Sequence, residues 1–350
     1  MPDTVLVTGA SGWLGNRLCQ ILGNQGRAIR AMVIPAHREH LDILRLRQSL
    51  PEDSSLEITV ADVTDETTLG AATRDVDTVF HCVGVIHPQN AKAFYEINAE
   101  GTRNTLEACI NSGVRRFIYV SSNAAQGFNR IYEEKNGERV PVPLTEEMPC
   151  HPESDYGRSK LEAERIVNGL HEEQGIETVI IRPPMYYGPR LPERTQRLYN
   201  MVRNGLPLVG GVPVFGGGYV YRSVVYLDNV CEALLLAENS KKANGETYWI
   251  ADEGMITWRE YLETVAAALD TELEVFSLPR FVAKSLEMAD MMSGWMGLYV
   301  QLFHVLGEMG RDCVCSIEKA KKDLGYKAEI STGEGVKRTV DWMIQSNLVG

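Results

Sequence analysis

Tyr156 and Lys160, in the run Tyr156-Gly157-Arg158-Ser159-Lys160, stand four residues apart where the sequence predicts the start of a long helix near Asp155. Residues at that spacing share a helix face. An ammonium held beside a phenol stabilises the phenolate; at roughly 4 Å and an effective dielectric near 20 the interaction is about 4 kcal/mol, or roughly three pK units. A phenol brought toward neutrality in this way can serve as a general acid and base. The same spacing also describes an ordinary surface pair, so the pattern needs companions. Two hydroxyls supply them. Ser121 and Ser122, in Val120-Ser121-Ser122-Asn123-Ala124-Ala125-Gln126-Gly127, follow a predicted strand. Ligands of open α/β sheets bind outside the carboxyl ends of strands, where either hydroxyl could hold a substrate oxygen beside the phenol.

The run from Val5 to Gly15 reads as strand, glycine turn and helix, with Gly9, Gly12 and Gly15 around Ser11, Trp13 and Leu14. Glycines at these places let the backbone turn tightly, approach a pyrophosphate and pack helix against strand. The helix N-terminus then offers N–H groups and a positive dipole end to phosphates. The predicted second strand ends in Val33-Ile34-Pro35, with no carboxylate to accept from the ribose hydroxyls of NAD. His37 and Arg38 follow and could meet a 2′-phosphate, although a solvated basic loop would look the same. The reading favours NADP(H) over NAD(H), with Arg38 as a contact.

The elements that must position these groups form an α/β alternation. Thr4–Thr8, Ala28–Ile34, Leu56–Val60, Thr78–Cys82, Phe117–Ser121 and Thr178–Ile181 are short apolar or β-branched runs, suited to strands covered on both faces. Helical patterns lie between them at Trp13–Gln25, Glu39–Gln48, Asp65–Thr73 and Ala91–Asn111, which predicts a doubly wound parallel sheet. After Pro183 glycine and proline crowd the chain, Tyr226–Glu238 reads as a helix returning to the sheet, and the chain after Thr257 reads as mainly helical. The expected division is a dinucleotide-binding domain of residues 1–184 plus about 222–251, with a smaller, mostly helical substrate cap of about 185–221 and 252–350.

Composition excludes other classes. Lys plus Arg (35) against Asp plus Glu (47) gives a net charge of −12, which disfavours nucleic acid and anionic membranes as partners. The seven dispersed cysteines and the absence of a leader-like start suggest reduced thiols and a cytoplasmic protein, and no spacing suits a metal site. The apolar stretch 291–306 is shorter than the roughly 20 residues a spanning helix needs. It reads as a buried or lid helix, with contact at a membrane surface as the lesser alternative.

Taken together, the glycine turn, the serine-bearing strand end and the Tyr156/Lys160 helix resemble the extended short-chain dehydrogenases/reductases, the group of NAD-dependent epimerases/dehydratases and 3β-hydroxysteroid dehydrogenase-like enzymes. That resemblance covers most of the chain. It implies Ser122 rather than Ser121 as the active-site hydroxyl, Asn98 as a steadying residue of the active site, and Asp62 and Val63 as adenine contacts. It further implies Val83, Gly84 and Pro183 along the cofactor, with Tyr156 exchanging the proton and Lys160 also holding the nicotinamide ribose. Asn123, Met185, Tyr186 and Arg222 are the implied substrate residues. Asn123 and Ala124 lack the acid of the dehydratases, and Met185 replaces the asparagine usual in nucleotide-sugar epimerases. The expected activity is therefore hydride transfer at a secondary alcohol or ketone of an apolar, steroid- or flavonoid-like small molecule. The alternative is a nucleotide-sugar 4-epimerase with tightly bound NAD. A homodimer is expected.

Overall fold

Short runs of β-branched and apolar residues become strands when both faces are covered. The computed structural model, which describes residues 4–86, 88, 90–206, 210–279, 282, 285, 288 and 310–349, has such strands at β1 (Val5–Thr8), β2 (Ile29–Val33), β3 (Leu56–Val60), β4 (Thr78–His81) and β5 (Arg116–Val120). With Glu177–Arg182 and Glu246–Trp249 they form a seven-stranded sheet in the order Glu246–Trp249, Glu177–Arg182, β5, β4, β1, β2, β3, parallel throughout. The chain builds outward from β1 to β3, then crosses back so that β4 lies beside β1. Connections diverge there, which opens a crevice at the carboxyl ends of the two strands.

Strand alternation divides the core between the two faces. Val5 and Val7 of β1 and Ile118 of β5 pack with helices Trp13–Asn24, Leu41–Ser49 and Leu227–Asn239. Leu6, Phe117 and Tyr119 pack on the opposite face, with Leu69, Leu106, Ala163 and Val167 of the helices there. The returning helix Leu227–Asn239 is clamped by Arg17–Asp228 and Arg27–Glu238 ion pairs. The predicted helix Ala91–Asn111 is present with a defect: Lys92–Phe94 and Gly101–Asn111 are α-helical, whereas Tyr95–Glu100 is a π turn.

A third apolar cluster contains Tyr187, Tyr199, Trp258, Tyr261, Val340 and Met343. It meets the sheet domain through a short parallel pair, Met185–Tyr187 with Val224–Tyr226. Asp252 knots the two parts together, accepting from Tyr187 Oη (2.7 Å), Tyr226 N (3.0 Å), Asn229 Nδ2 (2.8 Å) and Thr332 Oγ1 (3.2 Å). The region after Thr257 is less uniformly helical than its sequence suggests. Val275–Leu278 is a strand paired with Val212–Phe215, since β-branched and aromatic residues there fit a pleated surface. The stretch 291–306 lies outside the described residues. Among those described, no helix is long and apolar enough to cross a membrane.

His81, at the end of β4, is fully buried, with Nδ1 bonded to Thr8 Oγ1 (3.0 Å) and Nε2 to Thr102 Oγ1 (3.2 Å). Burial first, and the Lys160 charge second, push its pKa down to about 3. In the unfolded chain the imidazole takes its proton near the ordinary value of about 6.5, so between those limits the unfolded state binds more protons. Stability should therefore fall as pH drops below about 6.5, this residue contributing up to about 1.4 kcal/mol per pH unit. Urea titrations at several pH values should show that slope, and His81→Gln should flatten it while lowering stability at neutral pH. An unchanged slope in the variant would exclude His81 as its source.

Candidate active site

The glycine turn lies at the β1/β4 crevice. Gly9 has φ +67°, and a side chain there would meet the Cys82 carbonyl at 3.2 Å, where the end of β4 passes close by. Gly15 is constrained by proximity instead, since a Cβ would fall 2.4 Å from the Gly9 oxygen. Gly12 N donates to Gly9 O (2.8 Å), which closes the turn. Gly12 is also the N-cap of helix Trp13–Asn24, and that helix has neither a side-chain cap nor an acidic residue in its first turn. Its leading N–H groups are left for an anion. A turn that excludes Cβ atoms and ends on an uncapped helix fits a dinucleotide pyrophosphate.

Lys160 is 3% exposed. Its Nζ donates to Val120 O (2.7 Å) and lies 4.3 Å from the centre of the Tyr119 ring. Burial drives its pKa down to about 7, against upward pulls from Glu164 and Cys82. Tyr156 sits one turn earlier on helix Asp155–Gln174, half-buried, its ring 5.9 Å from that of Phe94. Ser154 caps this helix by accepting from Gly157 N (3.1 Å), which fixes where Tyr156 begins its first turn.

The two serines have different surroundings. Ser121 Oγ donates to the buried Glu164 carboxylate at 2.5 Å. Ser122 is extended (φ −160°) and caps the short helix Asn123–Gln126, its Oγ accepting from Ala124 N (3.2 Å) and donating to Asn123 Oδ1 (3.3 Å). Asn123 in turn donates from its backbone N to Pro183 O (3.1 Å) and from Nδ2 to Cys313 Sγ (3.3 Å). The first bond draws the ends of β5 and strand Glu177–Arg182 together, and the second ties them to the segment around Cys313.

Asn98 lies in the π turn, fully buried, with both ends of its amide engaged. Oδ1 accepts from Val85 N (2.8 Å), while Nδ2 donates to Val85 O (3.1 Å) and Ser159 Oγ (3.1 Å). It thereby bolts the Val83–Val85 loop to the helix carrying Tyr156 and Lys160. A Cβ on Gly84 would come within 3.7 Å of Lys160 Nζ and 3.6 Å of Asn98 Oδ1.

The remaining candidates lie around this centre. Asp62 closes its own turn by accepting from Thr64 N (2.9 Å) and Oγ1 (2.8 Å), and Val63 packs under Gly101. His37 Nδ1 is 2.9 Å from Ser11 Oγ, its ring 4.9 Å from His40, and Arg38 follows exposed to solvent. Met185 packs against the third apolar cluster, and the Tyr186 ring lies 5.2 Å from Trp13, whose indole N donates to Pro189 O (2.7 Å). Arg222 stands over the Trp258 ring at 5.7 Å. Tyr187, next to Tyr186 in sequence, is core. Sequence reasoning missed Tyr119, Glu164 and Arg182; the spacing of Tyr156, Lys160 and Glu164 along one helix face was a usable signal for the second. Among the described residues no cluster of three or more His, Cys, Asp or Glu could hold a metal.

A sequence profile of the NAD dependent epimerase/dehydratase family matches residues 5–251. The chain is 26% identical over 356 residues to UDP-glucose 4-epimerase of Vibrio cholerae, covering 99% of this chain and 97% of that protein. It is 27% identical over 348 residues to human sterol-4-alpha-carboxylate 3-dehydrogenase, decarboxylating, covering 95% and 86%. Its fold matches UDP-glucuronic acid 4-epimerase from Bacillus cereus in complex with NAD at a TM-score of 0.74 and 22% identity, over 98% of this chain and 99% of that one.

Asn98→Ala should release the Val83–Val85 loop while leaving the sheet intact. Each lost bond to a buried partner is worth about 1–3 kcal/mol, so calorimetry should record NAD(H) binding weakened by about tenfold or more. Unchanged affinity would show that the loop holds its shape without the amide.

Proposed function

Because the chain belongs to the NAD dependent epimerase/dehydratase family, within the extended short-chain dehydrogenases/reductases, and is an NAD(P)-dependent enzyme, we propose that it interconverts a secondary alcohol and a ketone on an apolar small molecule. The observation that carries the reading is the Lys160 ammonium, buried one helical turn from Tyr156 and pinned by Val120 O beside the loop that Asn98 holds. The glycine turn and helix Trp13–Asn24 would hold the dinucleotide pyrophosphate, Asp62 and Val63 its adenine, and Val83, Gly84 and Pro183 the route to the nicotinamide. When bound, that nicotinamide supplies the hydride acceptor or donor. Tyr156 removes or returns the proton at the substrate oxygen, Lys160 lowers the cost of the phenolate, and Ser122 orients that oxygen.

Residues 1–184 with about 222–251 would then bind cofactor, and about 185–221 with 252–350 would cap the substrate, a division supported by the separate apolar cluster around Tyr199 and Tyr261. Met185 and Tyr186 give the mouth of the cap an apolar wall, with Asn123 and Arg222 as its polar contacts. NADP(H) remains our preferred cofactor, since β2 ends without a carboxylate and Arg38 lies exposed beyond the Ser11–His37 contact.

A nucleotide-sugar 4-epimerase is the second reading, favoured by the relative in Vibrio cholerae that matches over nearly the whole chain. The two differ in what happens to the cofactor. An epimerase returns the hydride to the same substrate and retains its nucleotide, whereas a dehydrogenase exchanges it each cycle.

Tyr156→Phe should lower kcat by about 10²–10⁴-fold with nucleotide affinity nearly unchanged; near-normal turnover would end the assignment. Calorimetry should find NADP(H) the tighter ligand, with Arg38→Ala weakening it by about 1–3 kcal/mol and sparing NAD(H). Screening hydroxysteroids, other ketones and UDP-sugars decides between the readings. Reduced-nicotinamide absorbance should change in proportion to product. Copurified, tightly held NAD with interconversion of UDP-sugars in the absence of added cofactor would establish the epimerase instead.

A further inference from the structure

Glu164 lies on the Tyr156/Lys160 face of helix Asp155–Gln174, one turn beyond Lys160, and is buried. Its Oε1 accepts from Ser121 Oγ (2.5 Å) and Arg182 Nε (2.9 Å), and its Oε2 from Arg182 Nη2 (2.5 Å). Arg182, equally buried, donates Nη1 to Gln126 Oε1 (2.8 Å), which also accepts from Trp249 Nε1 (2.8 Å). Replacing a buried ion pair with apolar residues is often neutral or stabilising, so stability alone is a weak reason for this one. Its location is more informative. Ser121 precedes Ser122, Arg182 precedes Pro183, and Glu164 shares its helix face with the two residues that handle the proton. The pair therefore meets all three segments that converge on the site.

We propose that Glu164 is a positioning residue of the reaction: its carboxylate, locked in place by Arg182 and Ser121, holds Lys160 in its ammonium form behind Tyr156. The inference rests on the roles given to Tyr156 and Lys160 above. Side chains one turn apart have Cβ atoms about 5–6 Å apart, close enough for a buried carboxylate to favour the neighbouring charge. Lys160 needs such support because its burial leaves the ammonium marginal near neutral pH. The other groups facing it give little. His81 is held neutral, the Cys82 thiol is pushed up to about 12, and Tyr119 is raised well above the ordinary phenol range, all chiefly by burial. On its far side Glu164 faces Arg182, and the Cys150 thiol, also raised by burial, lies 3.5 Å from Arg182 Nη2. Glu164 is thus the carboxylate one turn away, on the same helix face, from the ammonium that the proposed chemistry requires.

The test needs no substrate. The near-ultraviolet phenolate band is titrated in the purified protein, and each titration is subtracted from that of the same protein carrying Tyr156→Phe, which isolates one phenol. In the parent protein Tyr156 should ionise below the ordinary value of about 10. The double variant Glu164→Leu/Arg182→Met removes both charges, so the pair's contribution to the fold is replaced by apolar packing. It should fold with an unchanged circular dichroism spectrum, yet its Tyr156 midpoint should rise by about one pH unit. A folded double variant with an unmoved midpoint would overturn the proposal and leave the roles of Tyr156 and Lys160 standing. Failure of that variant to fold would overturn it too, because the pair would then serve the fold. An ordinary Tyr156 midpoint in the parent protein would take down the underlying reading as well.

Discussion

An ammonium withdrawn from water forfeits several kcal/mol of hydration, even after the surrounding protein relaxes. Lys160 recovers part of that from the Val120 carbonyl and part from the face of Tyr119. These demands dictate much of the local architecture. Val120 can turn its carbonyl toward the lysine because β5 ends there, and alternation along the strand places Tyr119 on the face covered by helix Asp155–Gln174. The loop after β4 comes close as well, so that a Cβ on Gly84 would touch Lys160 Nζ at van der Waals distance. One charge thus couples a strand end, a helix and a loop that are far apart in sequence.

The position of that charge also explains why the sheet and the third apolar cluster are joined as they are. The site lies at the carboxyl ends of the strands, and the segment that completes it leaves strand Glu177–Arg182 directly into the pair Met185–Tyr187 and Val224–Tyr226. Asp252 gathers four donors from both sides of this junction. A carboxylate so placed is desolvated, and its pKa is raised by that burial despite the four hydrogen bonds opposing the shift. The junction therefore combines directional bonds with the packing of Tyr187 against Tyr226 and Tyr261.

The sequence was most readable where function and geometry demand rare residue patterns. Gly9, Gly12 and Gly15 after an apolar run could scarcely signify anything but a tight strand-to-helix turn, and the ends of the six predicted strands lie within about one residue of their observed places, whereas the sheet's edge strand Glu246–Trp249 was not read. The Tyr156 and Lys160 spacing was legible for the same reason. What could not be read depends on tertiary neighbours. Nothing local distinguishes Ser121 from Ser122; the difference arises because Glu164, from another element and held by Arg182, claims the first hydroxyl. Likewise Tyr187 resembles Tyr186 in sequence, yet alternation turns one into the core toward Asp252 and leaves the other against Trp13. The strand Val275–Leu278 was hidden because its partner, Val212–Phe215, lies far upstream across a glycine-rich region. The π turn had no signature beyond an asparagine in a helix.

That π turn has a consequence for how the chain can change over time. A π segment, bonded i to i+5, spends about one residue more per turn than an α-helix. Deleting one residue of this turn other than Asn98 would let the helix run on regularly from Lys92 to Asn111, a gain in local regularity. The same deletion would straighten the widened turn in which Asn98 sits and so undo the placement of its amide against Val85 and Ser159. In most surface segments an insertion or deletion is absorbed by a loop. Here the number of residues is itself a functional quantity, and the helix must keep its surplus one.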